Sequence, residues 1–173
     1  GLGHVGPAKR GNVGIQLAGA GSEVTVVDLD GTCLSACLAL DLLVLGGFWT
    51  KAQWQRELED PRRLCLGLAE KRRLQAVACG WLVVDELHIT VLAVDPKHRC
   101  LGYGASLLRS LLERARRVGA SQATLEVDSN NAAAISLYER FGFRTAGCRS
   151  GYYSNGGDAL IKWLNMSSMA SEV

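Results

Sequence analysis

The stretch between residues 87 and 127 constrains the fold more than any other part of this chain. An apolar run at residues 87–94 is followed by a turn with glycines at positions 102 and 104, and then by a leucine-rich segment of helical spacing. A second short apolar strand follows at residues 124–127. A strand, a helix and a strand in this order form a right-handed crossover between two parallel neighbours of one sheet. The sequence therefore predicts a central parallel pair, with the glycine turn at the carboxyl end of its first strand.

The segments on either side of this unit predict antiparallel strands and flanking helices. Thr50 and Gln53 have the spacing of a capping box, which opens a short helix that ends before Pro61. The other predicted strands are residues 23–28, 64–69, 75–84, 143–153 and 159–164, and the other predicted helices are residues 32–43, 104–118 and 131–141. The first of these helices is expected to bury a side formed by Cys33, Leu34, Cys37, Leu38 and Leu42. The predicted fold class is α/β (α+β), with a mixed, mostly antiparallel sheet of six to seven strands.

Three parts of different composition divide the chain. Residues 1–22 contain seven glycines and no acidic residue, which predicts a glycine-rich, flexible N-terminal leader. Residues 23–164 carry all the periodic segments and predict one folded domain. Residues 165–173 are polar and predict a disordered C-terminal tail.

Composition limits the partners of this chain. A net charge of +2 over 173 residues is far from that of a dedicated nucleic-acid binder. The basic run at residues 114–117 ends a predicted helix, where cations complement the helix dipole. No apolar run approaches the roughly 20 residues that span a bilayer. We therefore predict neither direct nucleic-acid binding nor a membrane span.

Six cysteines, at positions 33, 37, 65, 79, 100 and 148, show no CxxC pair, and the three histidines have no metal-ligand spacing. The first four lie among apolar neighbours, which is typical of buried thiols, with disulfides or a metal as the alternatives. Free thiols indicate a reducing compartment. The sequence thus predicts a cytoplasmic protein without a metal.

The turn at residues 99–104 is a candidate anion site. The first amides of a helix have no partner within the helix, and the aligned peptide dipoles favour an anion there. Glycine at two positions lets the backbone approach a ligand without Cβ contacts. We therefore predict that a phosphate-bearing cofactor binds at this turn.

Three polar residues fall near the same end of the predicted sheet. Glu126 alternates with Leu125 and Val127 and so faces the opposite way, Asn131 begins a helix, and Tyr138 follows two turns later. Each has a simpler explanation. Glu126 fits a solvated edge residue, Asn131 an N-cap and Tyr138 a core tyrosine with a satisfied hydroxyl. The residue types alone leave both interpretations open.

Taken together, these residues resemble a known family. Residues 125–143, LEVDSNNAAAISLYERFGF, are similar to the hallmark segment of the GNAT-superfamily N-acetyltransferases, and more narrowly to that of the RimI-type protein N-terminal acetyltransferases. The turn at residues 99–104 matches the superfamily's R/Q-x-x-G-x-G/A signature, and residues 152–159 resemble the RimI tail. The resemblance covers residues 23–164. It implies the GNAT fold, in which the central parallel pair is splayed to hold acetyl-coenzyme A (acetyl-CoA).

The resemblance implies a contact for each position of the cofactor site, with acetyl-CoA as co-substrate and no metal. The implied contacts are the backbone of Leu92, Ala93 and Val94 with the pantetheine amides, the amides of Cys100, Leu101, Gly102, Tyr103, Gly104 and Ala105 together with Arg99 at the pyrophosphate, and Asn131 with the pantetheine arm. RimI-type proteins usually carry a second basic residue at position 100. One charge contact with phosphate is therefore missing here.

The implied reaction is direct acetyl transfer, with Glu126 as general base and Tyr138 as the acid that protonates the departing thiolate. A peptide α-amine with a pKa near 8 is roughly one-tenth neutral at pH 7, whereas a lysine amine is neutral in about one molecule of 2,500. One carboxylate of modest basicity therefore suffices for an N-terminal amine. Direct transfer requires no covalent enzyme intermediate, so Cys100 is not needed as a nucleophile.

The implied acceptor is a protein N-terminus, for example that of a ribosomal protein. Phe48, Trp49, Tyr152 and Tyr153 lie in loops that frame the acceptor groove in this family, and loop anchoring to the core is the alternative. Asp128 stands where an arginine is common, which implies an altered substrate selection near the base. Two other hypotheses stay open: acetylation of lysine side chains or small amines, and an acetyl-CoA sensor without catalysis.

Overall fold

One mixed sheet organises the fold, and the computed structural model describes residues 13–15, 24–99 and 101–168. The strands are β1 (Val13–Ile15), β2 (Val24–Asp28), β3 (Arg63–Glu70), β4 (Arg73–Val83), β5 (Glu86–Val94), β6 (Gln122–Asp128), β7 (Arg144–Arg149) and β8 (Ala159–Asn165). Their order in the sheet is β1-β2-β3-β4-β5-β6-β8-β7. Within these described residues β5 and β6 pair in parallel, and every other neighbouring pair is antiparallel. The predicted mixed sheet with a central parallel pair is confirmed.

Four helices cover the two faces of the sheet. They are α1 (Leu34–Leu45), α2 (Lys51–Glu59), α3 (Tyr103–Arg117) and α4 (Ala132–Arg140). The core under α3 and α4 includes the predicted stripe of Leu107, Leu108, Leu111, Leu112 and Ala115, all fully buried. A second core lies under α1 and α2 and contains Trp54 with three buried or half-buried cysteines on α1 and the adjacent strands. No helix in the described ranges combines the length and apolar character that a membrane crossing requires.

The predicted capping box is present at the start of α2. The hydroxyl oxygen of Thr50 accepts a hydrogen bond from the Gln53 amide at 3.1 Å, and the Gln53 side-chain oxygen accepts one from the Thr50 amide at 2.9 Å. Two of the first backbone donors are thereby satisfied, so the local sequence alone determines where this helix begins.

The termini of the domain differ from the prediction at both ends. Strand β1 lies inside the segment predicted as a flexible leader and pairs antiparallel with β2, and this strand raises the strand count to eight. At the other end, Asn165 belongs to β8 and Met166 is fully buried, with its amide donating to the Ser121 carbonyl at 2.9 Å. The ordered domain therefore continues through Ser168. The rest of the predicted leader and tail lies outside the described residues.

Helix α1 buries most of the predicted side, since Cys37 is buried and Cys33, Leu34 and Leu38 pack half-buried against the core. Its buried residues are Cys37, Leu40 and Asp41, whereas Leu42 is 65% exposed. The helix is apolar nearly all round, so periodicity does not define one inward face. The side that is buried contains a carboxylate, because neighbouring donors satisfy its oxygens, as described below.

Strand β7 is shorter than predicted. It ends at Arg149, and residues 150–158 form a loop in place of the continued strand. Tyr152 and Tyr153 lie in this loop, with the Tyr153 amide donating to the Gly157 carbonyl at 3.1 Å.

A bulge in β5 bends the strand at the centre of the sheet. Cys79 of β4 pairs with Val91, and the next residue of β4, Gly80, pairs with Ile89, so that Thr90 is the extra residue of β5. The Thr90 hydroxyl donates to the Cys79 carbonyl at 3.3 Å. A bulge bends its strand and increases the local twist. Since β5 and β6 remain paired only through His88 within the described residues, the bulge accounts for their separation beyond that point.

Adding a side chain at Gly80 tests the packing beside this bulge. A Cβ at this position falls 2.6 Å from Cδ1 of Leu87, which is fully buried, so we expect Gly80→Ala to lower the free energy of unfolding by about 1–3 kcal/mol. Gly147→Ala is the control, because its Cβ meets Ile161 at an ordinary 3.5 Å. Urea unfolding followed by tryptophan fluorescence measures both. Equal losses for the two variants would contradict this account.

Candidate active site

A cleft opens where β5 and β6 separate. The two strands pair at three positions, Glu86 with Gln122, Leu87 with Ala123 and His88 with Thr124. Beyond these positions β5 stays paired with β4, and β6 stays paired with β8. In the described chain each strand therefore presents one backbone edge to the cleft. The predicted residues Leu92, Ala93 and Val94 lie on the β5 side, where an extended ligand with amide groups can pair as an added strand.

The glycine turn closes the carboxyl end of this cleft. Arg99 is extended and exposed, Gly102 has a φ of 84°, and α3 begins at the next residue. The first bond of this turn runs from the Ser106 amide to the Gly102 carbonyl at 3.0 Å, so the amides of residues 103–105 precede the helical hydrogen-bond ladder. A Cβ on Gly104 falls 3.6 Å from Leu137 and 3.7 Å from Val94, which places this glycine between α4 and the end of β5. Cys100 lies outside the described residues.

The side chain of Tyr103 points away from the turn. It is 1% exposed, its hydroxyl donates to Oε1 of Glu70 at 3.1 Å, and its ring stacks on His98 at 5.4 Å between centroids. Leu101 likewise packs against the core. The turn therefore presents backbone groups and the Arg99 side chain rather than a set of side chains. Glu70 is 33 positions away in sequence, and no local pattern predicts its contact with Tyr103.

Glu126 lies on β6, on the face opposite to the buried Leu125 and Val127, and 37% of its side chain is exposed. Its Oε2 is 3.5 Å from Nε of Arg149, and the guanidinium of that arginine lies 5.6 Å from the Tyr152 ring centre. Glu126 is accessible to water, as the solvated interpretation predicts, and its role as a general base stays a prediction. Arg149 belongs to β7, and the sequence analysis missed its contact with Glu126 because β8 separates the two strands in the sheet.

Tyr138 is 7% exposed and packs edge-on against Phe143 with ring centres 5.6 Å apart. Burial, and to a smaller extent the nearby Tyr153, raise the pKa of Tyr138 to about 12. The pKa of Tyr153 is raised by burial first, and then by the charges of Asp128 and Glu126 and the neighbouring Tyr152. The structure thus brings Tyr153 within electrostatic reach of both Tyr138 and Glu126.

Asn131 caps α4. Its side-chain oxygen accepts a hydrogen bond from the Ala134 amide at 3.1 Å, as the N-cap interpretation predicts. The cap uses one of the two lone pairs of this oxygen, so the other lone pair and the amide nitrogen can still contact a ligand.

The predicted acceptor aromatics lie in two separate loops. Phe48 is 54% exposed, and Trp49 packs edge-on against Trp54 at 4.8 Å between centroids and against the core under α1 and α2. Tyr152 is 48% exposed and lies 5.0 Å from the half-buried Tyr153 ring. Trp49 anchors its loop to the core, as the alternative interpretation predicts, while a contact of these rings with an acceptor stays a prediction.

The sequence profile of the acetyltransferase (GNAT) family matches residues 37–143. The chain belongs to this family. The matched range contains the cleft, the glycine turn, Glu126 and Tyr138. The predicted GNAT fold is therefore confirmed, and the separated strands β5 and β6 are the splayed pair of this acetyltransferase fold.

Two relatives and one solved structure extend this assignment. The putative ribosomal protein bS18-alanine N-acetyltransferase of Bacillus subtilis is 38% identical over 122 residues, covering 69% of this chain and 80% of that protein. The ribosomal protein bS18-alanine N-acetyltransferase of Escherichia coli K12 is 32% identical over 146 residues, covering 83% and 98%. The crystal structure of the E. coli ribosomal-protein-S18-alanine N-acetyltransferase superposes with a TM-score of 0.78 at 31% identity, covering 87% of this chain and 98% of that one.

A group of buried ligand-type side chains lies between α2 and the sheet of this acetyltransferase. One ligand atom each from Glu57, Cys65 and Cys79 falls within 4.8 Å of the others. Burial raises the pKa of the Cys79 thiol well above its ordinary value, and burial also raises the pKa of Glu57 against the opposing effect of Arg63. Metals bind the thiolate form of cysteine. Burial here favours a neutral Cys79 thiol that packs as a small apolar group.

The raised pKa of Tyr138 predicts a loss of stability at high pH. The unfolded chain releases this proton near pH 10 and the folded chain near pH 12, so the stabilisation is complete below about pH 10 and is lost as pH rises towards about 12. We expect the free energy of unfolding of the parent to fall by about 1 kcal/mol more than that of Tyr138→Phe between roughly pH 9 and pH 11. Urea titrations at both pH values measure this difference. Parallel pH dependence in the two proteins would be inconsistent with the buried hydroxyl.

Proposed function

We propose that this GNAT enzyme transfers the acetyl group of acetyl-CoA to the N-terminal α-amine of a protein in the cytoplasm. The observation that carries the proposal is the cleft between β5 and β6, with Glu126 on β6 and the first amides of α3, which precede its helical hydrogen-bond ladder, at the carboxyl end of β5. The relatives named as bS18-alanine N-acetyltransferases support a ribosomal protein as the acceptor.

The backbone groups along the cleft support acetyl-CoA as the co-substrate. The free edge of β5 supplies backbone groups for the pantetheine amides, and the amides of residues 103–105 supply donors for the pyrophosphate. Gly102 adopts a positive φ, which brings the turn into position without Cβ strain. When bound, acetyl-CoA supplies an activated acetyl thioester to the acceptor amine.

Glu126 is placed to receive the proton of the acceptor amine. It is partly exposed, so it can accept a proton from an incoming ammonium and release it to water. Its present partner, Arg149, contacts it at 3.5 Å, longer than a close charge-assisted hydrogen bond. An incoming ammonium can therefore replace the guanidinium. An α-amine needs far less activation by a carboxylate than a lysine amine does, because a larger fraction of it is neutral at pH 7.

Tyr138 is placed to assist the leaving group. Because its pKa is raised to about 12, the hydroxyl keeps its proton at neutral pH and can donate to the sulfur as the C–S bond breaks and the C–N bond forms. Complete transfer to a thiolate of pKa about 8.5 is uphill by about 5 kcal/mol. That is well below the barrier of about 16 kcal/mol for roughly ten turnovers per second. Tyr138 then regains a proton released by the acceptor amine.

Two substitutions test these roles. We expect Glu126→Gln to lower kcat by about 100-fold, and Tyr138→Phe by about 10- to 100-fold, the effect of losing one hydrogen bond to a developing charge. Acetyl-CoA affinity should remain unchanged in both. Glu113→Gln, at the far end of α3, is the control for loss of a carboxylate. Parent-like rates in both active-site variants would show that these assignments are wrong and would favour another base and acid.

The acceptor class is tested with a peptide library. Peptides that differ in their first two residues, each with an internal lysine, are incubated with acetyl-CoA and analysed by mass spectrometry. We expect acetylation of the α-amine, because it is neutral about 250 times more often than lysine at pH 7. Acetylation confined to lysine would overturn the proposed acceptor, and binding without any transfer would support the sensor hypothesis.

The backbone character of the glycine turn predicts unequal effects of two substitutions. Gly104→Val places branched carbons between Val94 and Leu137, where even a Cβ is already in contact, and should weaken acetyl-CoA binding by about 10-fold or more. Cys100→Ser should leave the affinity within about twofold, because backbone amides and Arg99 are expected to hold the phosphates. Isothermal titration with acetyl-CoA compares the two. Equal losses would contradict the proposed mode of phosphate binding.

A further inference from the structure

Asp41 is a buried carboxylate on α1 that the proposed reaction does not use. It is 1% exposed, and a buried charge is unfavourable unless hydrogen bonds compensate for lost water. Its Oδ1 accepts from the Phe48 amide at 2.6 Å, and its Oδ2 accepts from the Trp49 amide at 3.0 Å and from the Trp54 indole nitrogen at 2.7 Å. These three donors satisfy both oxygens.

Four successive backbone amides between α1 and α2 donate hydrogen bonds to this one residue. The amides of Gly46 and Gly47 both point to the backbone carbonyl of Asp41, and the next two amides bind its side chain. Gly46 and Gly47 have φ values of 72° and 91°, which lets the chain turn tightly around Asp41. All four amides of residues 46–49 therefore donate to Asp41, so the position of Asp41 determines the path of this loop.

The loop carries an aromatic pair on the α1/α2 face of the sheet. Trp49 packs against the core that includes Val91 and Ala93, which lie on β5 beyond the point where β5 leaves β6. Phe48 lies 5.4 Å from Trp49 between ring centres and is 54% exposed. Glu126 and this core share one face of the sheet, because Leu125 and Val127 face the other. An exposed aromatic ring is thus held on the face where the acceptor amine must approach Glu126.

We propose that Asp41 is a positioning residue for the acceptor: it holds the Phe48–Trp49 segment as a preformed wall for the first residues of the peptide. The inference rests on the proposed N-terminal acetylation. A wall that is ordered before binding spares the peptide the conformational entropy of ordering four loop residues. Asp41 therefore acts on peptide affinity through Phe48, without contacting the reacting atoms.

Asp41→Asn is the principal test, because it keeps the shape of the side chain but turns one acceptor into a donor that faces other donors. We expect the peptide KM to rise about 10-fold or more, with kcat within about threefold and acetyl-CoA affinity unchanged. The substrate is a short peptide that begins with alanine. Trp54→Phe removes one donor and leaves both loop amides in place, so it should raise the peptide KM by about threefold.

A double-variant cycle separates positioning from general destabilisation. Phe48→Ala removes the exposed wall itself and should raise the peptide KM about as much as Asp41→Asn. If Asp41 acts through Phe48, the double variant is no worse than the more impaired single variant. Val26→Ala, which creates a cavity in the core on the other face of the sheet, is the matched control and should leave the peptide KM at the parent value.

Three outcomes would overturn the inference: a peptide KM of Asp41→Asn equal to that of Val26→Ala, a parallel loss of acetyl-CoA affinity, or full additivity with Phe48→Ala. If Asp41→Asn does not fold, Trp54→Phe decides, and an unchanged peptide KM in that variant overturns the proposal. A parent enzyme that acetylates no peptide N-terminus defeats the proposed function instead. The two failures are therefore distinct.

Discussion

The short parallel contact between β5 and β6 is the constraint on which the rest of the site depends. Three residue pairs join the strands, and the bulge at Thr90 then bends β5 away. If β5 and β6 paired further along, their backbone groups would bond to each other and would not be available to a strand-like ligand. Earlier separation would divide the sheet into two halves, each with a smaller core. The bulge thus opens a binding cleft within an otherwise continuous sheet.

Two carboxylates on the α1/α2 face of the sheet, Asp41 and Glu126, are stabilised in opposite ways. Asp41 is buried, and three nitrogen donors satisfy it, which makes it an anchor for a loop. Glu126 keeps access to water and has one loosely held cation partner, which leaves it able to exchange a proton. Burial with full hydrogen bonding gives rigidity, while partial exposure gives reactivity. The proposed acceptor path runs between these two residues.

Local patterns predicted the elements whose causes are local. The capping box at Thr50, the leucine stripe of α3 and the Asn131 cap of α4 each depend on residues three or four positions apart, and all are confirmed. The inward side of α1 was predicted only in part. Leu42 is exposed and Asp41 is buried, because a helix that is apolar nearly all round has no periodic signal and its buried carboxylate finds its donors in the following loop. The burial of Met166 depends on a partner 45 positions earlier, Ser121, which composition does not reveal.

The sequence by itself determined the family, the order of strands and helices, and which residue types stand at the candidate site, since these follow from spacing along the chain. Only the tertiary structure decided how those residues meet. Arg149 reaches Glu126 across β8, Glu70 binds the hydroxyl of Tyr103 beneath the glycine turn, and Asp41 gathers the amides of residues 46–49. Each of these contacts joins separate elements through charged or polar groups, and packing in space sets which groups meet. For the buried Asp41 carboxylate and Tyr103 hydroxyl, losing the partner would be more unfavourable than any local preference.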